Sequence, residues 1–132
     1  MEKKFIKPDN MFAPTGYTHA LAVDGARRLI FVSGQVARDR EGKLIAGNLE
    51  EQTRQVCKNL LAVLEAAGAS AADVVKLTTF VVKLKPADRG IVLGVRNEFF
   101  DPARLPASSL IGVDALVEPE MLVEIEAIAA IA

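Results

Sequence analysis

One cysteine and one histidine stand in this chain of 132 residues. Within a single chain they make neither a disulfide nor a structural zinc site, so oxidative staples and metal catalysis are both expected to be absent. Charge of one sign is not in excess either. Lys and Arg number 16 against 17 Asp and Glu, which leaves no broad field to draw the protein onto a phosphate backbone or an anionic membrane. Aromatics are sparse, six Phe and one Tyr, and no basic stripe interleaves with them, which argues against a nucleic-acid partner and against ribonuclease chemistry. No run approaches the roughly 18 apolar residues of a membrane helix. The opening MEKKFIKPDN is basic without the apolar stretch of a signal peptide, so the sequence predicts a cytoplasmic protein with no membrane partner. Repeats, low-complexity tracts and shifts in composition are lacking as well, and residues 1–132 read as a single domain long enough to bury a core.

What is there alternates between two periods. Tyr17 to Val23 alternates weakly and leads through Asp24-Gly25, a hairpin signal, into the apolar run Leu29 to Val32, which predicts an antiparallel strand pair. Asn48 with Glu51 three residues on makes a capping-box start. Apolar residues then recur at Leu49, Val56, Leu60, Val63, Leu64 and Ala67 before Gly68, the pattern of an amphipathic helix with a glycine stop. Val74 to Leu84 is a Val- and Thr-rich strand, Pro86 opens a second helix to Phe100 that Gly90 and Gly94 weaken, and Ala107 to Val113 and Leu122 to Ile131 are two further strands. Two helices cover one face of such a sheet. Yet the strands are apolar on both sides, with Leu29 and Phe31 opposed to Ile30 and Val32, and Val123, Ile125 and Ile131 opposed to Leu122 and Ile128. The second face needs a cover: other copies of the chain, or an N-terminal segment folded across it.

The segments TGYTHALAVDG, FVSGQVARDREGKL, NLEEQTRQVCKNLLAVLEAAGAS, DVVKLTTFVVKL, LPASSLIGV and LVEIEAIA, in that order and at these intervals, closely resemble the RidA/YjgF (reactive intermediate deaminase, or endoribonuclease L-PSP) family over essentially the whole chain. The resemblance implies an α+β, chorismate-mutase-like fold, a single mixed sheet with two helices on one face. It also implies a homotrimer with a small-molecule cleft between each pair of neighbours. The activity implied is hydrolysis of reactive enamines and imines to a carbonyl product and ammonia. A protonated imine carbon is already electrophilic, so such an enzyme mainly orients it and places a water against it, and no cofactor is required.

The resemblance also assigns residues. Glu124, first carboxylate of EIEAIA, matches the family's cleft glutamate, which positions or activates the attacking water; a strand carboxylate otherwise usually faces solvent. Tyr17, in Thr15-Gly16-Tyr17-Thr18-His19-Ala20, matches the tyrosine of the family's G-P-Y-S-Q-A motif, whose phenol would bond substrate or water. Gly16 and His19 replace that motif's proline and glutamine. His19 shares Tyr17's strand face and is the side-chain type suited by default to proton transfer at neutral pH, a candidate for substrate binding or proton transfer; an ordinary hydrogen-bonded histidine is the alternative. Ser33 and Gly34 match the cleft-lining SGQ. Cys57, by the apolar stripe of the first helix, reads as a small buried hydrophobe rather than a nucleophile.

One departure stands out. Deaminating members carry P-A-R-[ST], whose arginine grips the substrate carboxylate bidentately, and this chain reads Pro106-Ala107-Ser108-Ser109. Three readings stay open. Ser108 and Ser109 bond a neutral or differently shaped substrate, Arg104 or Arg96 restores the charge, or the trimer binds a small ligand without turning it over.

Overall fold

The computed structural model describes residues 1–132. Eight strands and helices follow one another: β1 (Glu2–Ile6), β2 (Ala20–Asp24), β3 (Arg28–Gln35), α1 (Leu49–Ala66), β4 (Val74–Val82), α2 (Asp88–Arg96), β5 (Ala107–Val113) and β6 (Val123–Ile131). Two helices pack on a mixed sheet of order β3-β6-β4-β5, in which only β4 and β5 run parallel. The α+β expectation is met.

α1 begins where its cap predicts. The Glu51 amide donates to Asn48 Oδ1 at 2.9 Å and the Asn48 amide to Glu51 Oε1 at 3.4 Å, and Gly68 (φ 79°) takes the left-handed turn after the helix. Val56, Cys57, Leu60 and Leu64 drive its apolar stripe onto the sheet, meeting Val32, Leu77, Val81, Val123 and Ile125. Val63, read as part of that stripe, is exposed, because the buried face turns instead through Gln52 and Thr53. The amide of Gln52 donates to Glu120 O and its carbonyl oxygen accepts from the Leu122 amide, tying α1 to the chain entering β6.

α2 is shorter than the Pro86–Phe100 reading. It starts at Asp88, whose carboxylate accepts from the Lys85 amide, and it ends at Arg96, beyond which Phe99 and Phe100 close a turn back onto the Arg96 carbonyl. No helix is long and apolar enough to cross a membrane.

The N-terminal third departs most from expectation. Gly25 adopts the left-handed conformation (φ 72°) that the hairpin signal called for, yet β2 does not fold back on β3. It pairs instead with β1, a strand absent from the sequence reading, in antiparallel register from Glu2↔Asp24 to Ile6↔Ala20. Tyr17 to His19 lies outside β2, touching the main sheet only through a parallel bridge from Thr18 to Ala107. The cause is a set of competing bonds: the Thr18 amide donates to Pro106 O, Arg89 Nη2 to Thr15 O, Arg96 Nη2 to Gly16 O and Lys3 Nζ to Ala72 O. Local turn chemistry is worth less than these contacts together.

The two-faced reading of the main sheet holds. Val32, Leu77, Val123 and Ile125 are buried under the helices, whereas Leu29 and Phe31 on β3 and Ile111 on β5 are 55%, 72% and 39% exposed.

Candidate functional site

β6 alternates from Val123 to Ala129. Val123, Ile125 and Ala127 are buried toward the helices, which sends Glu124 and Glu126 to the open face. Glu124 pairs across to Phe80 on β4, and on its other side β3 is irregular between Val32 and Gln35, where Ser33 and Gly34 lie. A Cβ on Gly34 would stand 2.6 Å from Glu124 Cδ and 2.8 Å from Oε2, so the carboxylate rests in space that only glycine leaves. Within the chain no hydrogen bond or ion pair engages Glu124; its acceptor capacity is free for a ligand or a water. Ser33 is exposed beside it, with its carbonyl accepting from Gln35 Nε2 at 3.1 Å. Ser33, Gly34 and Glu124 therefore form one cluster on the open face.

A second cluster forms at the start of β5. The register sets Ser108 beside Leu77 and Ser109 beside Thr78, so the adjacent serines face opposite ways. Ser109 looks out on the open face and accepts from Lys76 Nζ at 2.9 Å. Ser108 looks toward the helices, where Arg96 Nη1 lies 3.5 Å from its Oγ. Arg96 is 3% exposed, its Nη2 donates to Gly16 O at 3.1 Å, its Nε has no partner, and no carboxylate pairs with it. Burial pulls its pKa below the ordinary guanidinium range; the Cys57 thiol opposes that pull and Arg89 adds to it. Arg104, the other candidate for a replacement charge, stacks on the Phe5 ring at 5.4 Å. Only Arg96 reaches Ser108.

Tyr17 and His19 meet edge-on, with ring centroids 5.6 Å apart, and His19 meets Phe12 in the same way at 4.9 Å. His19 Nε2 sits 2.8 Å from the Phe12 carbonyl, which can only accept, so that nitrogen is the donor of this bond. The two rings line a cleft of about 500 Å³ with Phe5, Phe12, Pro102 and Leu105. Neither Glu124 nor Ser108 lines it.

The residues singled out from sequence are thus brought together in two groups, Ser33–Gly34–Glu124 and Tyr17–His19 beside Ser108–Arg96, with Ser109 across the sheet from the latter. Within one chain they do not share a pocket. Lys76 went unremarked in the sequence, although the alternation Lys76-Thr78-Phe80 already marks the open face of β4.

Cys57 is fully buried, and burial pushes its thiol from the usual 9.0 up to about 12, with the Arg96 charge offsetting only part of that rise. In the folded protein it is expected to resist iodoacetamide at pH 8 and to react promptly once urea unfolds the chain, as followed by intact mass. The raised value also sets a sign. Thiol protonation contributes stability that is whole below pH 9.0 and is lost as pH climbs toward about 12, because the unfolded thiol ionises first. Nowhere do three or more His, Cys, Asp or Glu side chains gather as metal ligands.

Comparison with known proteins adds three findings. Residues 9–131 match the family model described as Endoribonuclease L-PSP. The chain is 37% identical to a RutC family protein of Pyrococcus abyssi, covering 98% of both, and 38% identical to the 2-iminobutanoate/2-iminopropanoate deaminase of Rattus norvegicus, covering 96% of this chain and 89% of that one. Its fold superposes on YyfB, a Rid-family protein of Yersinia pestis, with a TM-score of 0.91 at 40% identity, over 99% of this chain and 100% of the other.

Proposed function

The chain belongs to the RidA/YjgF (endoribonuclease L-PSP) family, and from that premise we propose that it hydrolyses imines and enamines to a carbonyl product and ammonia, in clefts between the subunits of a homotrimer. Imine deaminase activity is the property that named relatives support at the level of the family. The observation that carries it to this chain is Glu124, held against Gly34 on the open sheet face with no internal partner. Water adds to the carbon of a protonated imine as the Glu124 carboxylate takes one of the water's two protons, giving a carbinolamine. Glu124 returns that proton to the nitrogen, the C–N electron pair leaves with it as ammonia, and the remaining hydroxyl loses its proton to solvent and stays as the carbonyl. Tyr17 and His19 supply hydrogen bonds at the rim. No metal, cofactor or nucleic acid enters the scheme.

Ser108, standing where deaminating relatives carry arginine, changes what is bound at the far end of the substrate. Arg96 Nη1 lies 3.5 Å from the Ser108 oxygen on the helix side of the sheet, and as that oxygen accepts, the hydroxyl proton stays available to a ligand. One hydroxyl grips a carboxylate less well than a guanidinium fork, since each bond to a charged group is worth roughly 1.5–3 kcal/mol. The substrate preference therefore moves from free imino acids toward imines bearing an uncharged polar group.

The test generates imino acids in place with an amino acid oxidase, supplies neutral imines in parallel, and measures the rate of ammonia release with purified protein. We expect turnover of both, with the higher kcat/KM on the neutral imines. Installing the fork with Ser108→Arg, and removing the neighbouring like charge with Arg96→Met, is expected to reverse that order by about tenfold or more. A folded protein that binds imines saturably without releasing ammonia would make it a ligand-binding trimer instead.

A further inference from the structure

β2 and β3 are joined by three residues, Gly25 to Arg27, yet each is left with an unpaired edge. β2 pairs only with β1, and β3 only with β6. A two-stranded ribbon of five-residue strands is marginal alone, and an eight-residue edge strand that presents Leu29 and Phe31 to water is a template for pairing. The β1–β2 ribbon cannot close onto its own β3 without giving up the contacts that hold it elsewhere. Thr18 is bridged to Ala107 at the start of β5, the edge opposite β3, and Lys3, Arg89, Arg96 and Arg104 anchor the segments around it. Thr18 lies at β5 while Gly25–Arg27 runs into β3, so the ribbon spans the end of the sheet where β3, β4 and β5 begin.

We infer that β2 of one copy pairs antiparallel with the free edge of β3 in a second copy, so that subunits exchange their N-terminal ribbons head to tail. Sequence complementarity selects the register. Asp24 set opposite Arg28 joins opposite charges and brings Leu21 against Phe31 and Val23 against Leu29, covering the two most exposed apolar side chains of β3. A register one residue away would set Val23 against Arg28 and leave Phe31 facing Ala20 or Ala22.

Beyond Ala20 the chain leaves β2 and beyond Val32 β3 is irregular, so the regular pairing stops there, but its direction runs Tyr17 and His19 of one copy toward Ser33, Gly34 and Gln35 of the other, and Gln35 is paired on β6 with Ile125, the neighbour of Glu124. The exchange thus delivers one copy's Tyr17 and His19, with Ser108 behind them, to another copy's Ser33, Gly34 and Glu124. It unites the two clusters that a single chain keeps apart. This site-building consequence rests on the deaminase reading; the strand exchange does not. A head-to-tail contact of this kind closes into a ring when its rotation allows, as a trimer requires.

The experiment uses the full chain carrying Val23→Cys and Leu29→Cys, oxidised mildly and run without reductant; the buried native Cys57 stays in place. Expected are disulfides between chains, giving a covalently closed multimer that collapses to single chains on reduction. A disulfide within one chain, seen as a monomer lighter by two hydrogens, overturns the inference, and so does the absence of any disulfide in a folded variant. The unaltered protein gives an independent reading by hydrogen exchange. Amides in residues 21–23 and 29–31 should be protected together and should lose about tenfold or more of that protection when dilution separates the subunits. Protection that ignores dilution down to a demonstrated monomer overturns it. Interchain crosslinks in a protein that releases no ammonia defeat the deaminase reading alone, whereas intrachain crosslinks in a Glu124-dependent deaminase defeat the exchange alone.

Discussion

Glu124→Gln is expected to lower ammonia release from imines by roughly 10²–10⁴-fold, the range over which a positioned general base contributes. The amide keeps the size and shape of the carboxylate but cannot take a proton from water. Glu124 makes no hydrogen bond or ion pair within its chain, so its replacement deprives no internal donor, and the variant should melt within a degree or two of the parent. The loss should fall on kcat more than on KM, because the bond to water matters most as the water attacks. Wild-type turnover in this variant would remove the carboxylate from the reaction.

Gly34→Ala should do nearly as much damage by another route. The added methyl would lie 2.6 Å from Glu124 Cδ and 2.9 Å from Cγ, too close for both to stay. The obstacle is the far end of a flexible side chain on an open face, so the carboxylate swings away and the fold persists. A displacement of about 1 Å from attacking geometry can cost on the order of a hundredfold in rate. The decisive measurement is the double variant. If Gly34→Ala acts only through Glu124, adding it to Glu124→Gln should change kcat/KM little, whereas independent roles would multiply the two losses. The pair separates a glycine needed for the carboxylate's place from one needed for the strand's irregular step.

Much of the fold was legible in the residues. α1 announces itself by its capping box and by Val56, Leu60 and Leu64, and β5 runs over the same residues, Ala107–Val113, that its composition indicated. β4 and β6 come within two residues of their sequence bounds because alternation over Leu77–Val81 and Val123–Ala127 on a half-buried sheet leaves little freedom. The polar, basic stretch of β1 carried no such pattern. Its strand exists because Phe5 finds Leu21 across the ribbon, a partner sixteen residues away in the chain.

For the site the division is sharper. Glu124 on the open face follows from the period of β6 alone, and the ordered motifs were enough to identify the family. That Gly34 makes room for Glu124, that Arg96 rather than Arg104 reaches Ser108, and that the two serines of PASS face opposite ways depend on which strands and helices become neighbours.

The same holds for the ribbon. Asp24-Gly25 specifies a turn, and Gly25 does turn, but where β2 goes afterwards is decided by bonds from Lys3, Arg89 and Arg96 to distant backbone carbonyls. Sequence by itself set the periods, the caps and the faces, because those depend on neighbours a few residues apart. Only the tertiary structure chose the partners of each edge, because a backbone edge offers the same N–H and C=O groups to any strand, and the choice falls to side-chain contacts made across the whole chain.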